Sequence, residues 1–314
     1  MKKLLALLFI ILIGLLVSPY VFISNNTEIA KVTFLNANKT VAFRCLTQEN
    51  LLQQFLKDSQ ITYYNDSAFV FKHNNITFHI KKRMFEIVEV LISDNNVNLN
   101  SYISFLQLSP DSTGVEWKAQ MKMSNNPLKR VQQYLQANKI HKSMSFVFDQ
   151  LKQFVSNKKN VYGLAIERTL LTDSLLVTTK TVTNNYPSQD VYYDLIKKLQ
   201  DYLAANGASP ANYPMLNIAE IDTNKFVTTV AVPINKVLPD KGAIVFKRMF
   251  PGNILTTEVK GGAHALEQGI KQLNLYMSDN QLSSPAIPFQ SLITNRLVNR
   301  DTSKWMTKLY YPIY

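Results

Sequence analysis

Leu176-Val177-Thr178-Thr179-Lys180 returns seventy-odd residues later as Ile254-Leu255-Thr256-Thr257-Glu258. Each stretch opens an alternating, strand-like segment that runs to a Gly/Asn turn. An amphipathic helix follows each: Val191, Leu195, Leu199 and Tyr202 mark its apolar stripe in the first copy, and Leu266, Ile270, Leu273 and Met277 in the second. Both helices stop in a breaker, Asn206-Gly207-Ala208-Ser209-Pro210 against Asn280-Gln281-Leu282-Ser283-Ser284-Pro285. A second proline (Pro214, Pro288) then precedes a strand, Met215 to Ile221 or Phe289 to Leu297. After a polar turn, the last strands close on Val232-Pro233-Ile234 and Tyr311-Pro312-Ile313. The same landmarks in the same order twice predict a duplicated β-α-β-β unit whose halves pack their sheets together.

Upstream, residues 28–156 predict a separate unit. A strand over 28–35 is followed by an Asn-Ala-Asn turn and a helix carrying Leu51, Leu52, Phe55 and Leu56. Strand-like runs come next at 61–64, 68–72, 76–80, 85–92, 100–107 and 114–123. Asn126-Pro127 starts a long helix with a stripe of Met144, Phe148, Leu151 and Val155. Strand, helix, antiparallel sheet and closing helix make a helix-grip arrangement, with 156–160 as the linker. The fold class expected is α+β, with an N-terminal transmembrane helix.

That helix is the uncharged run Leu4 to Ile23, 20 residues behind Lys2-Lys3. At about 1.5 Å per residue it covers the roughly 30 Å hydrocarbon core. Basic residues precede it and none follows until Lys31, so the positive-inside rule keeps the N-terminus cytoplasmic and exports the rest. A cleaved signal peptide is the competing reading; the length of the run and the lack of a small-x-small pair at its end favour an anchor over residues 1–27. The expected location is therefore a bacterial inner membrane, single-pass, with periplasmic domains and the lipid bilayer as a partner through Leu4–Ile23. The single cysteine, Cys45, forms no intrachain disulfide, so the core alone holds the exported part together.

The net charge of +12 arises from 34 Lys+Arg against 22 Asp+Glu. These bases are spread in runs of one to three with no nucleic-acid-reading motif, so no nucleic-acid partner is expected. His73, His79, His141 and His264 lack neighbouring Cys or carboxylates at ligand spacing, so no metal is expected. Nine glycines form no phosphate or dinucleotide loop, and no cofactor is expected. No catalytic constellation is visible.

The duplicated half resembles the GyrI-like, or bacterial transcription-activator effector-binding, domain over about 161–314, with repeats at about 161–236 and 243–314. Residues 28–156 resemble the SRPBCC (START-like, polyketide-cyclase-like) superfamily through the Asn126-Pro127 start and long closing helix. The resemblance implies a ligand groove between the GyrI-like repeats and a hydrophobic cavity in the helix-grip domain. GyrI-like members that bind cationic drugs carry an acidic residue after an aromatic in the second repeat, then a Tyr two residues on. Here Pro288-Phe289-Gln290-Ser291-Leu292 places Gln290 and Leu292 at those positions. A neutral amide does not offset the desolvation of a buried cation, which points to a neutral or apolar ligand.

The candidate ligand-binding residues are Glu167, Tyr192, Glu258, Phe289, Gln290, Trp305 and Tyr310. Binding of a small hydrophobic or amphipathic molecule by a membrane-tethered, extracytoplasmic protein is the first reading. A hydrolase or cyclase working in one of the cavities is the alternative, and it needs at least one buried carboxylate, such as Glu167 or Glu258, or a Tyr pair facing the groove.

Overall fold

The computed structural model describes residues 2–57, 59, 61–65, 68–82, 87–94, 97–171 and 174–314. The chain divides into two compact units, Met1–Val161 and Tyr162–Tyr314.

In the first unit, α1 (Lys2–Phe22) leads to β1 (Asn26–Leu35) and two short helices, α2 (Lys39–Thr47) and α3 (Glu49–Phe55). Six strands follow: β2 (Ile61–Asn65), β3 (Ala68–His73), β4 (Ile76–Lys82), β5 (Ile87–Asp94), β6 (Val97–Ser109) and β7 (Ser112–Lys122). The long α4 (Pro127–Val155) comes last, and the stretch expected as a linker folds partly into α5 (Lys158–Tyr162). Phe85 and Glu86, expected in the fourth strand-like run, lie outside the described residues. The sheet is antiparallel in the order β1-β7-β6-β5-β4-β3-β2, which sets the first strand beside the last.

Asn126 begins α4 because its side-chain oxygen accepts from the backbone N–H of Leu128 (3.0 Å) and Lys129 (3.1 Å), with Pro127 in the first turn. Met144, Phe148, Leu151 and Val155 are all buried. Against them sits a run of rings: Phe71 on Phe78 at 4.8 Å, Phe78 on Trp117 at 5.5 Å, and Trp117 on Phe148 at 5.7 Å. The Trp117 indole N–H donates to Ser101 Oγ (2.9 Å), which donates to the Val90 carbonyl (2.6 Å). Every polar group introduced by these residues is thereby satisfied. These rings line the interface between the sheet and α4.

The expected anchor is helical as α1, with Leu4, Leu8, Phe9, Ile10 and Val21 exposed. Among the described residues no helix is long and apolar enough to cross a membrane. The C-terminal end of α1 is fixed by Arg130, a buried residue of α4. The Arg130 guanidinium donates to the Ile23 carbonyl (2.6 Å from Nη2, 3.2 Å from Nε) and to Asn25 Oδ1 (2.7 Å), and it lies 5.0 Å over the Tyr20 ring. A cation at the carbonyl end of a helix complements the dipole there.

The second unit runs β8 (Glu167–Leu171), β9 (Ser174–Thr183), α6 (Gln189–Ala205), β10 (Met215–Asp222) and β11 (Lys225–Ile234). It continues with β12 (Val245–Met249), β13 (Gly252–Lys260), α7 (Ala263–Asp279), β14 (Phe289–Leu292) and β15 (Met306–Pro312). The antiparallel sheet has the order β12-β9-β11-β10-β14-β15-β13-β8. The register reproduces the duplication: Leu176 pairs with Pro233, and Ile254 pairs with Pro312. The repeats meet where Leu216 pairs with Gln290.

Two features differ from the simple duplicated β-α-β-β unit. The leading strand of each repeat crosses to the other: β8 precedes β9 in the chain but pairs with β13, and β12 precedes β13 but pairs with β9. The stripe of α6 is also rotated, centred on Tyr192, Ile196, Leu199 and Leu203, with Val191 and Leu195 at its margin. These residues pack on Val177, Val230, Val232 and Leu216. On the equivalent helix α7, a Cβ at Gly269 would come within 2.6 Å of a Val259 γ-methyl, so only glycine lets the helix approach β13 this closely.

Candidate functional site

Paired residues in an antiparallel sheet point to the same face, so the register sorts the candidates. The helix face is defined by Val177, Val230, Val232 and Leu216, which pack under α6. On the opposite, open face, one cross-strand row reads Glu167–Thr256–Tyr310–Phe289. Glu258 pairs with Lys308 in the neighbouring row on the same face. Glu167, Glu258, Phe289 and Tyr310 are therefore brought together.

The other three are not. Tyr192 is buried in the core under α6. Trp305, buried below the loop before β15, donates its indole N–H to the Asn299 carbonyl (2.7 Å). Gln290 points to the helix face, the parity of Leu216 and Leu292, and its Oε1 is buried without a partner. The resemblance set it where GyrI-like drug binders carry the acidic residue; the register here turns it to the face opposite Phe289.

The open face carries a cleft of about 570 Å³, and it lies over the first repeat. Leu176, Met215, Val227, Val245 and Met249 give it an aliphatic floor, with Phe289 at one wall. The reason for its position is a difference between matched residues. Thr178 pairs with Ala231 in the first repeat, where Thr256 pairs with Tyr310 in the second. By the same register Met215 corresponds to Phe289. In the second repeat the Tyr310 and Phe289 rings stack at 4.7 Å and cover the sheet. In the first, a methyl group stands where the tyrosine would be, and the surface stays open.

Charge divides the face in the same way. Lys180 and Lys247 line the cleft, and no Asp or Glu does among the described residues. The counterpart of Lys180 is Glu258, and that of Val245 is Glu167. Both carboxylates are exposed on the second repeat, so neither is a buried acid or base. Burial, followed by the nearby charge of Glu258, raises the Tyr310 phenol above its ordinary value. It is therefore a neutral hydrogen-bonding group at physiological pH. The described residues contain no group of three His, Cys, Asp or Glu placed to hold a metal ion. Alternation alone marks which residues could share this face; the exchanged strand β12, whose Val245, Lys247 and Met249 complete the cleft, gave no such signal.

No protein-family model and no curated protein matches the chain. Among solved structures, the EcmrR C-terminal domain is 16% identical, covering 48% of this chain and 98% of its own, with a TM-score of 0.42. A hydrolase from Listeria innocua is 10% identical, covering 48% and 91%, with a TM-score of 0.39. SAV2435 bound to tetraphenylphosphonium is 17% identical, covering 48% and 93%, with a TM-score of 0.33. At these values the likenesses decide nothing about activity.

Gln290→Leu gives the second repeat the residue type of its counterpart Leu216 and removes the unpaired buried oxygen. It is expected to stabilise the second unit by about 1–2 kcal/mol in urea unfolding. A loss of stability would show that Gln290 is satisfied by a group the structure does not place there.

Proposed function

We propose that the protein binds a small hydrophobic or amphipathic molecule in the open-face cleft, as a GyrI-like effector-binding domain would. The observation that carries this reading is a cleft with an aliphatic floor on a duplicated sheet, kept open by Ala231 at the position Tyr310 occupies in the other repeat. A volume of about 570 Å³ falls within the range of small-molecule sites. With Lys180 and Lys247 as its charged groups, the cleft suits a neutral or anionic ligand better than a cation.

Filling the cleft tests this. Ala231→Phe imitates the aromatic cover of the second repeat and keeps the backbone register. With the chain lacking residues 2–22, a neutral solvatochromic dye is expected to bind saturably at micromolar levels. Ala231→Phe should weaken it at least tenfold, about 1.4 kcal/mol or more, with an unchanged melting temperature. Equal dye affinity in both proteins would remove the cleft from consideration.

The proposal extends to tethering: α1 anchors the chain in a bacterial inner membrane, with Lys2-Lys3 on the cytoplasmic side and the two units outside. An uncharged run of 20 residues behind two lysines supports it. So does the fixing of the α1 carbonyl end by buried Arg130, which sets a stalk directly on its domain. In cells, the full chain is expected to stay with membranes through carbonate extraction and to be released when residues 2–22 are deleted. Recovery of the full chain in the carbonate supernatant would overturn the tether.

A further inference from the structure

A second cavity, about 310 Å³, lies between the start of α6 and the loop leading to β15. Gln189 and Asp190 line it from the helix, and Arg296, Arg300, Thr302 and Trp305 from the loop. It is separate from the open-face cleft and owes nothing to that assignment.

Arg296 is only 8% exposed. A guanidinium stays charged at any pH a protein tolerates, and a buried charge without a counter-charge costs several kcal/mol. Its partners here are all neutral: Nη2 donates to Thr307 Oγ1 (2.7 Å), Nη1 approaches Tyr192 Oη (3.4 Å), and the plane lies 4.9 Å over the Trp305 ring. Nε has no partner. Among the described residues no carboxylate lies within ion-pair distance of it. The Arg296 backbone N–H donates to Tyr193 Oη (2.6 Å), which pins the loop to α6 and fixes where the guanidinium sits.

Beside it, the 17-residue helix α6 begins, and its N-cap Ser188 makes no side-chain hydrogen bond. The first N–H groups of that helix are left without a capping side chain, at the positive end of its dipole. Arg300 adds a second cation, and Asp190 is the one carboxylate of the lining. Buried Arg296, a second arginine and the first two residues of a helix without a side-chain cap thus line one hollow.

We propose that this hollow is a binding site for a compact oxyanion, either inorganic phosphate or a phosphoryl group carried on a larger molecule. The anion would supply the counter-charge that Arg296 lacks and accept from the α6 N–H groups, as helix N-termini commonly do.

The test uses the full chain in an uncharged detergent, titrated with inorganic phosphate and with phenyl phosphate against sodium chloride at matched ionic strength. Binding is followed by calorimetry and by phosphorus NMR line width. Saturable phosphate binding is expected, weakened at least fivefold by Arg300→Gln and strengthened by Asp190→Asn. Both substitutions fall on exposed positions, so they keep the test valid even if Arg296→Gln fails to fold. Tighter binding of phenyl phosphate would assign the site to a carried phosphoryl group, and tighter binding of the free ion to phosphate itself. A response to phosphate no different from that to chloride, or one untouched by both substitutions, would overturn the proposal.

Discussion

The second unit depends on a narrow seam. The ladder between β10 and β14 has two residue pairs, Met215 with Ser291 and Leu216 with Gln290, flanked by the Leu292 N–H donating to the Pro214 carbonyl and the Asn217 side-chain amide donating to the Pro288 carbonyl. So short a ladder is a weak hinge, and the exchanged strands are what close it. β8 contributes five pairs to β13 and β12 five to β9, so each repeat carries an edge strand supplied by the other. Separating the repeats would strip both outer edges as well as the seam, leaving unpaired backbone groups on each. This exchange fixes the register across all eight strands, and the register decides which side chains share the open face.

On that shared scaffold the two halves have diverged. Tyr310 stacked on Phe289 covers one half, while Ala231 and Met215 leave the other bare. Lys180 lies in the bare half where Glu258, paired with Lys308, lies in the covered one. One sheet therefore presents an apolar, basic cleft next to a closed shoulder of mixed charge. In the first unit, Trp117, Phe78 and Phe148 pack ring against ring between its sheet and α4.

Much of this could be read from the residues alone, for particular reasons. The duplication was legible because alternation, breakers and the two Pro-Ile endings recur in order, and the pairing of Leu176 with Pro233 and Ile254 with Pro312 bears out that alignment. Where Gln290 and Trp305 would sit was not legible: a strand turns Gln290 to the face opposite Phe289, and the Trp305 ring is placed by the loop before β15. The exchanged strands were hidden because β8 is exposed along most of its length and so lacks the alternation that marks a half-buried strand. Arg296 drew no notice because a lone arginine between loop residues acquires meaning only when Tyr192, Thr307 and Trp305 enclose it.

The central claim is that ligand occupies the first-repeat half of the open face. A photoactivatable aliphatic probe, cross-linked to the protein and located by peptide mass spectrometry, reads that directly. Labels are expected on β9, β10, β11 and β12, at residues such as Leu176, Met215, Val227 and Met249. Labels concentrated on β13 and β15, or on the helix face at Tyr192 and Trp305, would contradict it.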